Sequence, residues 1–370
     1  MTLTLVLFYA FIAVVSVQII YYLSFLFSFG LKSPETRLKK QIPISIIVCA
    51  KNEAENLKKN IPSLLNQDYS SFEIVLVNDS SFDDTLEIME DFAANNSQVK
   101  VVDVKVSEAF WGNKKYALTL GIKASSYDTL VFTDADCTPA SNQWLAHISS
   151  QFSNEKSIVL GYGAYAKKKF SLLNKLIRFE TVMTALQYFS YAKMEIPYMG
   201  VGRNLAYKKE VFFNNCGFNS HMALKSGDDD LFINEVANAT NTALCFSKES
   251  FTISEPKHSF KSWILQKRRH VSTAKYYKAK HKLLLGLFYL TQLSFWILGG
   301  IFIYLGVLLP WIAALIALRF LIQWICFGFT AKKLEETDLI LLLPLLEISL
   351  ITSQLSIFIA NLISKPTHWK

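Results

Sequence analysis

Long uncharged and mostly apolar stretches lie at the start of the chain and in its last third. No charged side chain occurs in residues 1–31, and none occurs in residues 283–318. A helix that crosses a membrane needs about 20 consecutive apolar residues, so each stretch can supply at least one span. The first stretch lacks the positive start and the small-residue cleavage site of a secretory signal. The pattern therefore predicts an N-terminal transmembrane helix in residues 1–31 and about three more in residues 283–363.

Short apolar runs alternate with helical patterns in the middle of the chain. The run Ile44–Cys49 (ISIIVC) is typical of a strand that is buried on both faces. Residues 53–66 then carry apolar side chains at helical spacing. The same alternation predicts strands at residues 73–77, 99–104 and 130–133, and helices at residues 84–94 and 114–124. It is the pattern of β-α-β units and predicts an α/β domain with a mostly parallel sheet.

Basic residues beside the predicted spans indicate which side of the membrane the middle of the chain occupies. They are Lys32, Arg37, Lys39 and Lys40 after the first span, nine Lys and Arg residues in 257–282 before the second, and Lys332 and Lys333 between the third and fourth. Because such residues are retained in the cytoplasm, residues 32–282 are predicted to be cytoplasmic and both chain ends to lie outside. Lys365 and Lys370 in the tail, residues 364–370, oppose this topology.

Two charged residues fall inside the C-terminal spans, which are predicted at residues 283–308, 311–330 and 339–363 with a tight turn at residues 308–310. They are Arg319 and Glu347. Intramembrane charges are functional candidates by default, and these two are the only support for a small transporter. On the predicted topology Arg319 lies nearer the outer side and Glu347 nearer the inner side, so we do not expect them to pair.

Composition narrows the functional classes. Only 18% of the residues are charged and 51% are hydrophobic, against about 25% charged in an average soluble domain. The net charge of +8 is concentrated beside the spans, where basic side chains meet membrane lipid headgroups, and it predicts no nucleic-acid partner. The five cysteines show no C-x-x-C spacing, which suits a reducing compartment and predicts no cysteine metal site.

Polar side chains cluster directly after the predicted strands. Asn52 and Glu53 follow the first strand, Asp79 the second, and Asp134 and Asp136 the last. Ligands bind at the carboxyl ends of the strands in an open α/β sheet, so these positions predict a site. The first strand is not followed by G-x-G-x-x-G, and the P-loop motif is missing from the sequence. Carboxylates near a phosphate ligand need a metal between them, and Mg²⁺ or Mn²⁺ suits their oxygen atoms.

Seven segments occur in the order found in family 2 glycosyltransferases with a GT-A fold, and the chain resembles that family over roughly residues 42–282. The segments are PISIIVCAKNEAENL, EIVLVNDSSFDDT, GNKKYALTLGIKAS, VFTDADCTPA, YMGVGRNLAYKKEVF, SGDDDLF and SWILQKRRHVSTAKYY. The resemblance implies a Rossmann-like GT-A domain in residues 32–282, ending in an amphipathic interface helix at about residues 260–282. It also implies a nucleotide-sugar donor, expected to be UDP-linked.

The resemblance places the nucleotide along the first two strand ends. Ala50, Asn52 and Glu53 would lie along the base and ribose, and Asp79 would accept a hydrogen bond from the base edge. An alternative role for Asp79 is to cap the helix that follows, as aspartate does at helix starts.

The resemblance places the donor diphosphate beside the last predicted strand. Asp134 and Asp136 match the D-x-D motif of the family and, on an extended segment, would point the same way toward one divalent cation. That cation would neutralise charge as the sugar-phosphate bond breaks. Of the two lysines in GNKK, Lys115 is expected to face the donor in preference to Lys114.

The resemblance supplies a general base and an acceptor side. Alignment on Gly-Asp-Asp makes Asp229 the base, whereas alignment on the following leucine makes it Asp228. The candidates on the acceptor and diphosphate side are Gly202, Arg203 and Asn204, followed by Gln266 and Arg269 of the Q-x-x-R-W segment. His270 replaces the tryptophan that marks processive synthases, which puts processivity in doubt. The alternative is a basic amphipathic helix on the membrane surface with Trp263 and Ile264 embedded, and both roles are compatible because such a helix can close the active site while resting on lipid.

The expected reaction is an inverting transfer to a lipid-linked or polysaccharide acceptor at the cytoplasmic face. A processive polysaccharide synthase would use the same site, although four spans are few for a polymer channel. A membrane protein that only binds nucleotide would not need Asp229 together with Asp134 and Asp136.

Overall fold

The computed structural model of the protein describes residues 3–34, 41–105 and 114–364. Five of the basic residues used to predict the topology, Arg37, Lys39, Lys40, Lys365 and Lys370, lie outside the described residues. The strands are β1 (Ile44–Ala50), β2 (Phe72–Asp79), β3 (Val99–Val104), β4 (Thr129–Asp134), β5 (Cys137–Pro139), β6 (Ile158–Gly161), β7 (Gly163–Tyr165), β8 (Leu205–Lys208), β9 (Thr242–Cys245) and β10 (Thr252–Ser254).

The helices fall into two groups, those of the α/β domain and those of the apolar ends. They are α1 (Leu3–Phe25), α2 (Ala54–Leu65), α3 (Thr85–Asn95), α4 (Lys114–Ala124), α5 (Trp144–Ser150), α6 (Leu172–Lys193), α7 (Lys209–Asn214), α8 (Asp230–Val236), α9 (Phe260–Val271), α10 (Ala279–Leu305), α11 (Leu309–Lys333) and α12 (Leu343–Ile363).

A seven-stranded sheet in the order β3-β2-β1-β4-β8-β6-β9 forms the centre of the domain. β3, β2, β1 and β4 are parallel neighbours, so the predicted α/β architecture with a mostly parallel sheet is confirmed. β8 runs antiparallel to both of its neighbours, β4 and β6. Three further strands form a second, smaller sheet in the order β5-β10-β7.

The side chains of β1 alternate between two apolar cores, one on each face of the sheet. Ile46 and Val48 belong to the core that contains Leu57 of α2, whereas Ile47 belongs to the core that contains Ile122 of α4. Burial on both faces explains why this strand shows no alternation of polar and apolar residues.

The strand register brings the predicted polar positions to one edge of the sheet. Ala50 of β1 pairs with Asn78 of β2, and Cys49 pairs with Asp134 of β4. The carboxyl ends of these parallel strands therefore meet where the ligand site is predicted.

Within the described residues, four helical segments are long and apolar enough to cross a membrane: Leu3–Gly30, Ala279–Leu305, Leu309–Lys333 and Thr337–Ile363. α1 packs against α10, with the rings of Phe11 and Phe295 stacked at 5.8 Å. The turn between α10 and α11 lies at Gly306 and Leu308, which both have left-handed backbone conformations. Pro310 already belongs to the first turn of α11, where its missing N–H costs nothing, so the turn ends earlier than predicted.

The expectation that Arg319 and Glu347 do not pair is wrong. The Arg319 guanidinium donates to Glu347 Oε1 at 2.5 Å and to Oε2 at 2.8 Å, and both side chains are fully buried. Thr337–Leu342 forms a 3₁₀-helix before α12. Because a 3₁₀-helix rises about 2 Å per residue, it carries Glu347 further into the helix bundle than an α-helix would.

Candidate active site

A cavity opens at the carboxyl ends of β1 and β4. Its lining combines apolar side chains with the acids and the lysine of the predicted motifs, and its polar members include Lys114, Asp134, Gly202, Asp228 and Asp229. Residues that lie far apart in the sequence thus share one pocket, which is the position that strand ends favour for a ligand.

The D-x-D segment lies in a turn, whereas the sequence argument assumed that it is extended. β4 ends at Asp134, residues 135–136 form a turn, and β5 begins at Cys137. Potential ligand atoms of Asp134, Asp136 and Cys137 nevertheless lie within 4.8 Å of one another. Burial, and then the neighbouring Asp134 carboxylate, raise the pKa of Asp136. A divalent cation would relieve this repulsion, so the residues fit a metal with oxygen ligands.

Lys114, and not Lys115, is the lysine that faces the acids. Lys114 Nζ lies 3.0 Å from Asp134 Oδ1 and 3.1 Å from Asp228 Oδ2. Burial alone would lower the pKa of Lys114, but these two carboxylates raise it well above its usual value. The ammonium is therefore held in its charged form between the donor side and the candidate base.

The preference for Lys115 is wrong because its side chain turns into the protein. Lys115 Nζ donates to the carbonyl oxygens of His221, Leu224 and Ser226 at 2.7–2.9 Å. Consecutive helical residues point about 100° apart, so only one of the two lysines can face the cavity. Lys115 instead fixes the loop that leads to the three adjacent aspartates.

Asp79 lies at the end of β2, where the resemblance places the base. α3 begins only at Thr85, with Asp84 as its N-cap residue, so Asp79 does not cap this helix. Asp79 Oδ2 is buried without a hydrogen-bond partner among the described residues, and Lys51 Nζ lies 3.9 Å away. Burial raises the pKa of Asp79 although Lys51 and Lys114 lower it. This carboxylate can accept a hydrogen bond from a ligand.

Ala50, Asn52 and Glu53 form the wall beside Asp79. Ala50 ends β1 and is buried, and Asn52 adopts a positive φ of 55°. Asn52 Oδ1 accepts a hydrogen bond from the backbone N–H of Phe82 at 2.9 Å, and the Glu53 N–H donates to Thr85 Oγ1 at 2.9 Å. These contacts join the loops after β1 and β2 into one rigid edge.

The three adjacent aspartates play three different roles. Asp229 Oδ2 accepts a 2.7 Å hydrogen bond from the Gly202 N–H, and its Oδ1 caps α8 by accepting from the Asp230 N–H. Burial, together with the Asp228 and Asp230 carboxylates, raises the pKa of Asp229 to about 7. Burial would also raise the pKa of Asp228, but Lys114 holds it below its usual value. Of these two candidate bases, Asp229 is therefore the one whose pKa lies near neutral pH.

Asp230 is anchored by the segment that follows α9. Thr273 and Tyr277 donate hydrogen bonds to Asp230 Oδ2, the latter at 2.7 Å. Sequence reasoning missed both residues, although they belong to the HVSTAKYY stretch of the last motif. They connect the candidate base to the helix that lies next to the membrane segments.

The acceptor-side segment contributes Gly202 to the cavity, but Asn204 is part of the core. A Cβ on Gly202 would lie 3.3 Å from Asp229 Oδ2, so glycine permits the close contact. The Asn204 side chain is fully buried and binds Trp144 Nε1 and the carbonyls of Tyr162 and Ser250. The prediction that Asn204 contacts the acceptor is wrong, because its amide is already satisfied inside the protein.

Arg203 lies beside the D-x-D turn, but its side chain is hydrogen-bonded to the smaller sheet. Its guanidinium donates to Gly163 O, Ala164 O and Ser254 Oγ at 2.9–3.2 Å and stacks on Tyr165 at 4.2 Å. Its charge lowers the pKa of Asp136, although burial outweighs this effect. Arg203 thus stabilises the wall behind the metal ligands.

α9 carries Gln266 and Arg269. Burial lowers the pKa of Arg269, while Asp228, Asp134 and Asp229 act to raise it, which places the guanidinium within the field of the acids. Gln266 Oε1 is buried with no hydrogen-bond partner in the described ranges. Trp263 is only 1% exposed because it packs inside the protein, so the alternative in which Trp263 embeds in lipid is wrong.

Comparisons with known proteins identify the family that part of the chain matches. Residues 45–220 match the sequence model of Glycosyl transferase family 2. The chain is 32% identical over 133 residues to the poly-β-1,6-N-acetyl-D-glucosamine synthase of Staphylococcus epidermidis, covering 36% of this chain and 31% of that protein. It is 29% identical over 147 residues to the probable glycosyltransferase YdaM of Bacillus subtilis, covering 39% and 35% respectively. The match thus spans about a third of the length of these curated relatives.

A solved structure shares the fold over nearly the whole chain. It is the mannosyltransferase PcManGT from Pyrobaculum calidifontis, in complex with GDP-Man and Mn²⁺, with a TM-score of 0.59 and 16% sequence identity. The superposition covers 91% of this chain and 95% of that one. Residues 45–220 therefore form a family 2 glycosyltransferase domain, and the fold that the solved structure shares with this chain is the GT-A fold.

Proposed function

We propose that the protein is an inverting glycosyltransferase of the inner membrane that uses a nucleotide sugar, expected to be UDP-linked. Its acceptor is a lipid-linked or polysaccharide sugar at the cytoplasmic face. The observation that carries the proposal is the shared cavity, which Asp134, Lys114 and Asp229 all line, with Lys114 Nζ 3.0 Å from Asp134 Oδ1. One pocket can then hold both the leaving diphosphate and the attacking hydroxyl.

The donor side of the proposal rests on Asp79 and the D-x-D turn. Asp79 presents a buried carboxylate oxygen without a partner among the described residues, which suits the N–H of a pyrimidine base. Asp134 and Asp136 would hold Mg²⁺ or Mn²⁺, and the cation would neutralise the departing diphosphate. Lys114 supplies a second positive charge beside Asp134.

The acceptor side rests on Asp229. Its carboxylate takes the proton of the acceptor hydroxyl, whose oxygen then attacks the anomeric carbon as the bond to the donor phosphate breaks. Because this is one displacement from the face opposite the nucleotide, the anomeric configuration inverts. The Gly202 N–H orients the Asp229 carboxylate. The pKa of Asp229, about 7, makes this carboxylate an effective base near neutral pH.

A processive polysaccharide synthase is the second candidate. The similarity to a poly-β-1,6-N-acetyl-D-glucosamine synthase favours it, whereas His270 in place of the tryptophan of Q-x-x-R-W argues for single transfers. Product length separates the two, because a processive enzyme releases long polymers at low acceptor excess and a single-transfer enzyme adds one sugar.

The experiment is a donor screen with the purified full chain in detergent. Nucleotide release is measured for a panel of UDP, GDP and other nucleotide sugars, with and without Mg²⁺ or Mn²⁺, and the Asp229→Asn variant is the matched control. Cation-dependent release by the unaltered protein and its loss in the variant would support the proposal. Binding of a nucleotide sugar without turnover by any acceptor tested would favour a protein that only binds nucleotide.

A further inference from the structure

The segment Thr337–Ile363 begins beside the catalytic domain. Arg178 of α6 binds Glu336 through Nε at 2.8 Å and Asp338 through Nη1 at 3.0 Å. Lys248, in the loop between β9 and β10, lies 3.2 Å from the Glu335 carboxylate. The start of the segment is therefore attached to the domain by ion pairs on the catalytic side of the bilayer.

The same segment also ends beside the catalytic domain. Arg268 of α9 donates to Asn361 Oδ1 at 3.0 Å, to Ala360 O at 3.0 Å and to Ser364 O at 2.7 Å. Asn361 Nδ2 in turn donates to Arg268 O at 3.0 Å. α9 directly follows the α/β domain in the chain, so these contacts hold the C-terminal end of α12 on the catalytic side.

The middle of the segment lies deep among the other helices. Glu347 pairs with Arg319 of α11. Lys333 lies at the catalytic end of the same helix. Arg319 precedes Lys333 by about four helical turns, which is about 21 Å at about 1.5 Å per residue. Lys333 itself donates to the carbonyls of Phe29 and Gly30, at the end of the N-terminal span. Since the hydrocarbon layer is about 30 Å thick, Glu347 reaches the region of its midplane.

The chain returns from this depth along α12. Tyr289 of α10 donates to Ile351 O at 3.4 Å, and Tyr289 is closer to the catalytic start of α10 than Gln292, which binds Glu347 at 2.6 Å. α12 then packs against α6 and α9 of the catalytic domain. The chain thus enters through the 3₁₀-helix Thr337–Leu342 and returns along α12, on which Glu347 lies deeper than Asn361.

We propose that Thr337–Ile363 is a re-entrant hairpin that enters and leaves the bilayer on the catalytic side, so that its lipid partner is a single leaflet. Of the candidate spans in the described residues, α1, α10 and α11 then cross the membrane. The entering arm of the hairpin fits this placement, because Trp324 Nε1 donates to the Ile340 carbonyl at 3.1 Å and so satisfies a backbone group of the 3₁₀-helix, outside the α-helix. The charges of Lys365 and Lys370 argue against a helix that crosses the membrane at this point. With a hairpin, both residues follow the positive-inside rule.

The lipid-facing surface of the hairpin is continuous with that of α9. Large apolar side chains are exposed near the end of α12, namely Phe358, Ile359, Leu362 and Ile363, and on α9 at Phe260 and Leu265. Because the end of α12 is fixed to α9, these side chains form one apolar surface at the catalytic end of the helix bundle. Acyl chains of the catalytic-side leaflet are the partner that fits it.

Sidedness tests the proposal independently of the sugar-transfer reaction. In a Cys216→Ser full-length background, one cysteine is appended after Lys370 and compared with Lys123→Cys, on the exposed surface of the domain, and with Tyr304→Cys, 89% exposed near the α10–α11 turn. Intact and permeabilised cells are treated with a membrane-impermeant maleimide. The appended cysteine is expected to label under the same condition as Lys123→Cys. Labelling together with Tyr304→Cys would overturn the hairpin.

Depth provides a second measurement. Spin labels at Leu345 and Phe358, both exposed on α12, are compared in the purified protein in lipid vesicles by their relative accessibility to oxygen and to a water-soluble nickel complex. A hairpin places Leu345 distinctly deeper than Phe358. Equal depths would indicate a helix that crosses the bilayer and would contradict the proposal.

Discussion

The Lys114 ammonium and the Asp228 carboxylate lie 3.1 Å apart, which joins the donor side of the cavity to the three adjacent aspartates. Asp228 is consequently neutralised by a fixed positive charge, whereas Asp229 is left to titrate near neutral pH. The difference between the two neighbouring acids arises from one lysine that the sequence motif does not specify.

Replacing each lysine with methionine separates their roles. Lys114→Met is expected to reduce turnover and donor affinity about tenfold or more, the size of a charged hydrogen bond, with the fold retained. Lys115→Met is expected to cost about 1–3 kcal/mol of stability, because it leaves buried carbonyls unsatisfied. Steady-state kinetics and thermal unfolding in detergent measure both. Loss of activity only in the Lys115 variant would restore the original assignment.

Asp229→Asn tests the general base. We expect turnover to fall by on the order of 10²-fold or more while cation-dependent donor binding persists, because the base contacts the acceptor and not the diphosphate. Asp228→Asn is the comparison, since it removes the partner of Lys114 and should also weaken donor binding. If Asp228→Asn alone shows intact binding with lost turnover, the base is Asp228.

The pH profile of transfer should report the raised pKa of Asp229. A general base acts only when ionised, so kcat/KM is expected to fall about tenfold per unit as the pH drops below about 7. Lys114 stays protonated over this range because its pKa is raised. Donor binding measured at each pH is the control for unfolding. A flat profile between about pH 5 and 8 would exclude Asp229 as the base.

Asp136→Asn tests the metal site. The variant is expected to lose transfer and the dependence of donor binding on Mn²⁺ or Mg²⁺, because it removes a carboxylate from the D-x-D pair. EDTA should have the same effect on the unaltered protein, and Asp91→Asn on the exposed face of α3 should have none. Full activity of Asp136→Asn in excess chelator would refute the assignment.

The charges inside the helix bundle can be tested as a pair. Arg319→Met leaves Glu347 buried and unpaired, and breaking such a pair typically costs about 3–5 kcal/mol. The double variant Arg319→Met with Glu347→Gln should recover most of this loss. Thermal unfolding of both proteins in the same detergent measures the difference, and equal stability of the single and double variants would mean that the pair contributes nothing.

The parallel half of the sheet was predictable because its strands are buried on both faces. β3 and α4 have the predicted bounds, and β1, β2 and β4 differ by one or two residues at their ends. The register then brings Asp79 and Asp134 to the same edge. The later strands β6 to β10 are only three or four residues long, and such short runs carry little periodicity.

The roles of individual polar residues were harder to predict. A motif gives spacing along the chain, but the direction of a side chain depends on tertiary packing. Lys114 and Lys115 are equivalent in composition, and only the rotation of α4 separates them. Asn204 looks like a ligand-binding residue in the sequence, yet its side chain forms hydrogen bonds inside the protein with Trp144 and with two backbone carbonyls. Likewise, hydropathy gives the length of Thr337–Ile363 but not its path.

The Arg319–Glu347 pair also has a consequence for biosynthesis. Arg319 leaves the ribosome before Glu347. α11 is therefore inserted while the Arg319 guanidinium lacks the acid that neutralises it. Gln18 of α1 contacts the same guanidinium at 3.1 Å, so the polar contacts of α1 are complete only after the later segment that carries Glu347 has been synthesised. A chain truncated before residue 337 would retain a bare charge in the bilayer, and quality-control proteases would be expected to degrade it.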